Sequence, residues 1–322
     1  MTQDDSYDVV VVGGGAAGLT GALVLARARR RVLVVDAGAP RNAPAGRVHN
    51  VLGHEGVTPR GLVDTGRREV EGFGGEVRDG RVTTVDRDGD AFRVDLADGA
   101  AVRARRVLVA TGLTDHLPDV PGAAALWGTG VLHCPYCHGW EVRDRAIGVL
   151  GAGVQSAVQA LIWRQWSDDV VLFTHTGAPV TPEHRALLDA RGVRVVDGEV
   201  ARLDAVDGTL TAVRLATGEV VPRDALAVAP RFVANADVLA ALGVEPVDQV
   251  VHGAVRGTHV PADPTGLTAV PGVWVAGNAA DVTAQVVVAA AQATAAATAI
   301  NVDLVLEDAR RALRATGAHA AS

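Results

Sequence analysis

Two cysteines stand three positions apart, at Cys134 and Cys137, and they are the only cysteines in the chain. This CxxC spacing brings two sulfurs within disulfide reach, and a neighbouring imidazolium or helix N-terminus lowers the pKa of a thiol toward neutrality. Histidines lie directly outside the pair, at His133 and His138. At least one of them is expected to act as a general base or to stabilise a thiolate. The pattern predicts thiol–disulfide exchange, with half of a zinc site or two inert buried thiols as the alternatives.

Other histidines and several tryptophans lack a comparable setting. We interpret four histidines as structural or pocket-lining residues: His49, His54, His116 and His175. Four tryptophans either fill a core or line a pocket near the cysteine loop: Trp127, Trp140, Trp163 and Trp166. The sequence therefore centres the chemistry on the cysteine pair and the two histidines beside it.

A glycine-rich turn near the N-terminus is typical of a dinucleotide site. Gly13, Gly15 and Gly18 follow an apolar run at 7–12 and open a stretch with helical spacing. Such glycines give a tight turn, close approach of the backbone to a pyrophosphate and close helix packing, while the helix N-terminus faces the phosphates. Asp36 ends the next apolar run, where its carboxylate can bond a ribose hydroxyl. The alternative is a glycine-rich turn without a ligand.

Two more small-residue turns follow apolar runs. The turn Ala110, Thr111 and Gly112 comes after a predicted strand at 106–109, and by itself is equally well a plain crossover loop. Gly277 and Asn278 come after a predicted strand at 273–276 and precede a helix that begins near Gln285. The N-terminus of that helix stabilises negative charge on a ligand.

A second glycine motif, Gly151-x-Gly153-x-x-Ser156, is incomplete. Aligning the strands that follow the two motifs places Thr174 where Asp36 stands in the first, so no carboxylate meets an NAD ribose. The next residues, 175–177, contain no arginine for an NADP phosphate. We interpret this half as a relic domain that shapes a substrate site, and productive nicotinamide binding as the alternative.

The same strand, glycine turn, helix and strand thus occur twice, about half a chain apart, and each copy is followed by β-rich sequence with hairpin signals. The predicted fold class is α/β with two Rossmann-like (three-layer ββα) domains, the second inserted into the first. The predicted boundaries are 1–117 and 246–322 for the two parts of the first domain, and 118–245 for the second.

Composition excludes several functional classes. The 322 residues are 48% hydrophobic and 21% charged, which indicates a folded globular chain. Thirty basic residues, all arginines, against 37 acidic ones give a net charge of −7, which argues against a nucleic-acid partner. The start of the chain lacks the pattern of a signal peptide, so we expect a cytoplasmic location. The apolar segment 286–300 is too short for a membrane span and is predicted to be a buried helix, so no membrane partner is expected.

The order of the motifs GGGAAG, ATG, HCPYCHGWE, a second glycine motif and PGVWVAGN resembles the thioredoxin reductase-like flavoproteins, FAD-dependent pyridine nucleotide-disulfide oxidoreductases, over nearly the whole chain. The resemblance implies FAD in the first domain, an NAD(P)-binding-like second domain that carries the CxxC, and a homodimer. By position, it implies that these residues bind the cofactor: Gly13, Gly15, Gly18, Asp36, Arg41, Asn50, Ala110, Thr111, Gly112, Gly277, Asn278, Gln285 and Val286. Asn278 replaces the aspartate usual there, and an amide still bonds a ribityl hydroxyl.

Two departures refine the resemblance. Bacterial thioredoxin reductases have Asp-Gly after the second cysteine and His-Arg-Arg for the NADPH phosphate, whereas this chain has His138-Gly139 and His175-Thr176-Gly177. The CxxCHGxE pattern is instead similar to the dithiol oxidases of natural-product pathways, which close the disulfides of gliotoxin and holomycin. That likeness implies an FAD-dependent oxidase in which a small-molecule dithiol reduces a Cys134–Cys137 disulfide, Cys137 passes electrons to FAD, and O2 leaves as H2O2.

Two other functions remain open at this point. One is an NAD(P)H-dependent, thioredoxin reductase-like disulfide reductase, which requires a nicotinamide site. The other is a non-catalytic redox sensor, in which the state of the flavin and of the CxxC controls a partner protein.

Overall fold

The structure is a computed structural model that describes residues 6–153 and 155–320. The strands are β1 (Ser6–Val12), β2 (Val32–Asp36), β3 (Glu76–Asp79), β4 (Val82–Asp88), β5 (Ala91–Leu96), β6 (Ala101–Val109), β7 (Leu113–His116), β8 (Val131–Leu132), β9 (Ile147–Leu150), β10 (Val170–Phe173), β11 (Arg194–Val196), β12 (Val200–Val206), β13 (Thr209–Leu215), β14 (Val220–Pro222), β15 (Ala225–Ala227), β16 (Arg231–Ala234), β17 (Val247–Val251), β18 (Ala254–His259) and β19 (Val273–Val275). The α-helices are α1 (Ala16–Arg27), α2 (Pro59–Gly72), α3 (Pro135–His138), α4 (Ser156–Trp163), α5 (Pro182–Ala190) and α6 (Val286–Ala320).

The chain divides into two compact units. The first comprises Met1–Ala43, Val51–Thr114 and Phe232–Ser322, and the second comprises Pro44–Asn50 and Asp115–Arg231. Each unit has its own parallel sheet with a glycine turn after a central strand, so the predicted α/β class with two Rossmann-like domains is confirmed. The boundaries after residues 117 and 245 stay a prediction.

The first unit is built on a sheet of order β3-β2-β1-β6-β5-β4, with β19 also paired to β6. Strands β2, β1, β6 and β19 run parallel, and β5 is antiparallel to β6. Alternate side chains of β1 enter two cores: Val11 packs with Leu25 of α1, and Val10 packs with Phe92 of β5. Because both faces of β1 are covered, the strand is a continuous apolar run, as the sequence suggested.

The long helix α6 packs against α1 in the first unit. Ala293, Ala297 and Ile300 are fully buried there, so the predicted burial of the segment 286–300 applies to one face of the helix. By length and composition alone, one segment within the described residues, Val286–Thr316, is long and apolar enough to cross a membrane. Its packing against α1 is that of a core helix in a globular unit.

The second unit repeats the plan with the sheet order β11-β10-β9-β15-β8 and a separate antiparallel sheet of β12, β13 and β14. Phe173 of β10 packs with Val213 of β13 on one face, and Leu172 packs with Trp163 and Leu188 of α4 and α5 on the other. The short helix α3, which carries the second cysteine, lies between β8 and β9 in the chain. The cysteine loop thus connects two strands of the same parallel sheet.

Candidate functional site

The first glycine turn joins β1 to α1 and fits close against a neighbouring turn. Gly13 has a φ of +105°, and a Cβ there would lie 2.5 Å from the carbonyl oxygen of Ala110. A Cβ at Gly18 would overlap the carbonyl oxygen of Gly13. A Cβ at Gly15, by contrast, would meet nothing within 4 Å. Two glycines therefore allow close packing of the protein itself, and the third borders open space.

The N-terminus of α1 lacks any neutralising group of its own. Its N-cap, Gly15, provides no side-chain cap, and the first turn contains no acidic residue. The first N–H groups of a helix have no partner within the helix and carry a partial positive charge. A helix end of this kind beside open space suits the pyrophosphate of a dinucleotide.

Asp36, at the end of β2, lies directly against this turn. Its Oδ1 accepts a hydrogen bond from the N–H of Gly14 at 3.1 Å, and its Oδ2 is 3.1 Å from Nη2 of Arg67. Arg67 also pairs with Asp79 at 2.5 Å, and hydrogen bonding to that carboxylate is the main cause that raises the pKa of Arg67. The sequence did not single out Arg67, which comes from α2 and fixes the orientation of Asp36.

The turn after β19 meets the N-terminus of α1. Gly277 has a φ of +73°, and a Cβ there would lie 2.9 Å from the Cβ of Ala17. The next residue, Asn278, donates from Nδ2 to the carbonyl oxygens of Asp281 and Ala284, at 3.1 and 2.9 Å. Its Oδ1 accepts from Nη1 of Arg41 at 3.2 Å. The glycine turn and the turn at 277–278 therefore line one cradle, in which Arg41 contributes a positive charge.

Of the other predicted cofactor residues, Ala110, Thr111, Gly112, Gln285 and Val286 belong to the first unit, and Asn50 belongs to the second. Ala110 adjoins Gly13, while the hydroxyl of Thr111 donates to the carbonyl oxygen of Asn235 at 2.6 Å. Gly112 accepts from the N–H of Asn235 at 3.0 Å. Gln285 and Val286 lie at the start of α6, where the carbonyl of Gln285 accepts the N–H of Ala289 at 2.8 Å.

The cysteine loop forms the redox centre of the second unit. Cys134 and Cys137 are joined by a disulfide, with 5.2 Å between their Cα atoms. Cys134 is the N-cap of α3, and its carbonyl oxygen accepts hydrogen bonds of 3.2 Å from the N–H groups of Cys137 and His138. Among the described residues, no group of three or more His, Cys, Asp and Glu side chains could hold a metal ion. With the two sulfurs bonded to each other, the geometry is compatible with thiol–disulfide exchange.

The two flanking histidines have different surroundings. His138 is half-buried, and burial is the main cause that lowers its pKa, while Glu141 raises it and His49 lowers it. The ring of His133 lies 6.5 Å from that of Trp127, centroid to centroid. Because burial favours the neutral imidazole, His138 can accept a proton near neutral pH. His138 is therefore a candidate for the base beside the disulfide.

A short segment from far away in the sequence contacts the cysteine loop. Nε2 of His49 is 3.4 Å from Oε1 of Glu141. Nδ2 of Asn50 donates to the carbonyl oxygen of Tyr136, between the two cysteines, at 2.9 Å. The sequence alone predicts a structural or pocket-lining role for His49, and no local pattern indicates its contact with Glu141, 92 positions away. The role of Asn50 as an FAD contact stays a prediction, since its side-chain amide bonds the cysteine loop here.

Exposed aromatic side chains flank the disulfide. Tyr136 is 61% exposed and meets the ring of Trp166 edge to face, with 5.7 Å between centroids. Trp140 is 65% exposed, and the guanidinium of Arg143 lies 4.1 Å from the centre of its ring. Aromatic surfaces of this kind pack well against an apolar or ring-containing small molecule.

The second glycine turn has the backbone of the first and different side chains. Leu150 pairs with Phe173 as Val12 pairs with Val35, and the N–H of the following glycine donates to the second strand in both units. Thr174 therefore occupies the place of Asp36, as the strand alignment predicted. Its hydroxyl accepts the N–H of Gly198 at 3.2 Å.

One backbone donor of this second turn is bonded to a different side chain from its equivalent in the first. The N–H of Ala152 donates to the hydroxyl of Ser156 at 2.9 Å, whereas the N–H of Gly14 donates to Oδ1 of Asp36 at 3.1 Å. Nδ1 of His175 accepts the N–H of Val200 at 3.1 Å, which fixes the following loop. Within that loop, a Cβ on Gly177 would lie 3.2 Å from the backbone nitrogen of Gly153. A Cβ on Gly153 itself would meet nothing within 4 Å, so this turn, like the first, borders open space.

Comparisons with known proteins give one consistent result. A family model described as pyridine nucleotide-disulphide oxidoreductase matches residues 7–293. The crystal structure of HlmI is 48% identical, has a TM-score of 0.90 and covers 98% of each chain. The crystal structure of an oxidoreductase from Agrobacterium tumefaciens is 31% identical with a TM-score of 0.87, over 94% of this chain and 99% of that one.

Among curated proteins, the chain is similar to the thioredoxin reductase tcpT of Claviceps purpurea. The two are 34% identical over 157 residues, which is 48% of this chain and 49% of that protein. The chain spans about half the length of the most similar curated relatives, from 39% to 58% for four of them.

Proposed function

We propose that this chain is an FAD-dependent dithiol oxidase. It belongs to the pyridine nucleotide-disulphide oxidoreductase family. Its substrate would be a small-molecule dithiol of the natural-product type, which leaves as a disulfide. O2 would be the electron acceptor and H2O2 the second product.

Several expectations from the sequence are confirmed by the family match. The chain is a thioredoxin reductase-like oxidoreductase, and FAD is its cofactor. The uncapped α1 N-terminus, the open space at Gly15 and the turn at Asn278 fit that cofactor. Bound FAD would supply the two-electron redox chemistry that links the reduced cysteine pair to O2 and H2O2.

The chain's own residues carry the thiol chemistry. Neutral His138 takes the proton of the first substrate thiol, and the thiolate attacks Sγ of Cys134. The Cys134–Cys137 bond breaks, a mixed disulfide forms at Cys134, and Cys137 leaves as a thiolate. The second substrate thiolate then attacks the substrate sulfur of the mixed disulfide and releases Cys134. Two electrons have moved from the substrate to the cysteine pair, and the substrate carries a new S–S bond.

The observation that carries the choice of oxidase is the second glycine turn. A reductase must bind NAD(P)H, and in this superfamily's fold the second Rossmann-like half is where a nicotinamide coenzyme is expected. Here Thr174, whose hydroxyl accepts the N–H of Gly198, stands where the first turn has the ribose-side carboxylate of Asp36. This replacement favours a dithiol, rather than a nicotinamide, as the source of electrons.

Oxygen consumption tests the proposal, with dithiothreitol as the probe dithiol. We expect the FAD-loaded protein to consume O2 and form H2O2 and oxidised dithiothreitol in a 1:1 ratio, without NADPH. The His116→Gln variant, altered at an exposed histidine of the second unit, is the control that keeps this activity. NADPH-dependent reduction of a disulfide, together with no dithiol-dependent O2 uptake, would instead establish the reductase.

The resemblance also implies a cytoplasmic homodimer, which we include in the proposal. Size-exclusion chromatography with light scattering would give twice the chain mass of 33.1 kDa for the dimer. A monomer at micromolar concentration would contradict that part of the proposal and leave the dithiol chemistry unaffected.

A further inference from the structure

We infer that Glu141 and His49 form a charge cluster with His138 that controls how readily His138 takes a proton beside the disulfide. Glu141 is the positioning carboxylate that supports the protonated imidazole, and His49 opposes it. The inference deepens the proposed function, since it concerns the base of that same site, and it concerns two residues that the motif alone does not assign.

The cluster is built into the turn that follows the redox disulfide. The N–H of His138 donates to the carbonyl oxygen of Cys134, and the N–H of Glu141 donates to the carbonyl oxygen of His138, both at 3.2 Å. These bonds fold the chain back, so that Glu141 acts on the imidazole that directly follows Cys137. Nε2 of His49 is 3.4 Å from Oε1 of Glu141, and the histidine side chain is only 16% exposed.

His49 is held in place by contacts that do not involve its own charge. On one side of it, Asn50 bonds the carbonyl oxygen of Tyr136 at 2.9 Å. On the other side Val48 is 4% exposed, and Pro44 packs so closely on Gly128 that a Cβ on that glycine would lie 2.8 Å from the Cβ of the proline. The segment 44–50 is therefore anchored at one end on the turn at Gly128 and at the other on the cysteine loop, and these contacts hold His49 opposite Glu141.

Glu141 and His49 shift the pKa of His138 in opposite directions. Burial lowers the pKa of His138, the carboxylate of Glu141 raises it, and His49 lowers it. Glu141 comes from the turn after α3, and His49 comes from the segment 44–50. An imidazole that must gain a proton during the reaction benefits from a nearby carboxylate, because the carboxylate stabilises the imidazolium in a partly desolvated place. His49 shares the same carboxylate and so weakens that support.

Because Glu141 and His49 shift the pKa of His138 in opposite directions, replacing each of them tests the inference. The pKa of His138 is measured by NMR titration of the FAD-loaded protein labelled with 13C-histidine, and His138→Gln assigns the signal. We expect Glu141→Gln to shift the pKa of His138 downward and His49→Gln to shift it upward. Glu183→Gln, which removes an exposed carboxylate from α5 of the same unit, is expected to leave it unchanged. Shifts of both variants in one direction, or no shift in either, would overturn the inference.

A second readout links the cluster to catalysis. The acid limb of the pH profile for dithiol-dependent O2 uptake should move with the measured pKa, to lower pH in Glu141→Gln and to higher pH in His49→Gln. A purely structural role would change thermal stability or FAD content without moving the acid limb in opposite directions. The NMR titration needs no turnover, so opposite shifts in a protein that oxidises no dithiol would sustain the cluster and reject the oxidase. Turnover with both acid limbs unmoved would reject the cluster alone.

Discussion

Two glycines of the first turn differ sharply in what surrounds them, and this difference predicts opposite results for the same substitution. Gly15 has an extended backbone with a φ of −79°, and a Cβ there would meet nothing within 4 Å. A Cβ at Gly18 would overlap the carbonyl oxygen of Gly13. If the open space at Gly15 is where the FAD pyrophosphate lies, Gly15→Ala should spare the fold and harm cofactor binding, whereas Gly18→Ala should harm the fold.

The magnitudes follow from the two environments. For Gly15→Ala, loss of glycine at an N-cap costs up to about 1 kcal/mol of stability in the FAD-free protein. A methyl group forced against a bound ligand costs about 1–3 kcal/mol, which weakens FAD binding roughly 5- to 160-fold. For Gly18→Ala the backbone itself must move, so a loss of about 3 kcal/mol or more of unfolding free energy is expected before any cofactor is added.

The assay is a titration of deflavinated protein with FAD, followed by flavin fluorescence, together with thermal unfolding of the FAD-free protein. Gly15→Ala is expected to unfold near the wild-type temperature and to bind FAD weakly. Gly18→Ala is expected to unfold at a clearly lower temperature. Wild-type FAD affinity in Gly15→Ala would refute the placement of the cofactor at the α1 N-terminus. Wild-type stability in Gly18→Ala would refute the close packing of helix and turn.

Three other substitutions test separate parts of the account. Cys137→Ser should keep the flavin absorbance of the purified protein and abolish dithiol-dependent O2 uptake, and retained uptake would exclude the disulfide mechanism. His138→Gln should lower that uptake about 100-fold. In the wild type, burial holds the pKa of His138 below its ordinary value. Wild-type activity should therefore persist at neutral pH and fall only as the pH drops through that lowered pKa. Arg106→Gln removes the bonds to Asp303 and Glu307 on α6 and should lower the stability of the first unit by about 1 kcal/mol, or roughly 2–4 °C in Tm, as calorimetry would show. An unchanged Tm would mean that these ion pairs contribute nothing measurable.

Local patterns in the sequence predicted most of the fold. The glycine turns, the apolar strands before them and the helices after them are determined by residues within a few positions of each other, so their repetition indicated two Rossmann-like halves. Thr174 could be aligned with Asp36 for the same reason, and the matching strand registers bear out that alignment. The N–H of Ala152 donates to the hydroxyl of Ser156, four positions along the chain. The serine in place of the third glycine is the feature of the sequence that marks this difference between the two turns.

The contacts that the sequence did not reveal join distant parts of the chain. Arg67 reaches Asp36, at the end of β2, from helix α2, and His49 reaches Glu141 across 92 positions. No periodicity or motif specifies such pairs, because they depend on how distant segments pack together rather than on local conformation. His49 could be interpreted only as a histidine without context until the fold placed it beside the cysteine loop.

The most direct test of the central claim is an anaerobic absorbance titration of the FAD-loaded protein. Dithiothreitol is added to one cuvette and NADPH or NADH to another, and the flavin band is followed in both. We expect the dithiol alone to bleach the flavin band, and air to restore the colour. Rapid bleaching by a nicotinamide, and none by the dithiol, would contradict it and would mean that the second glycine turn binds a coenzyme after all.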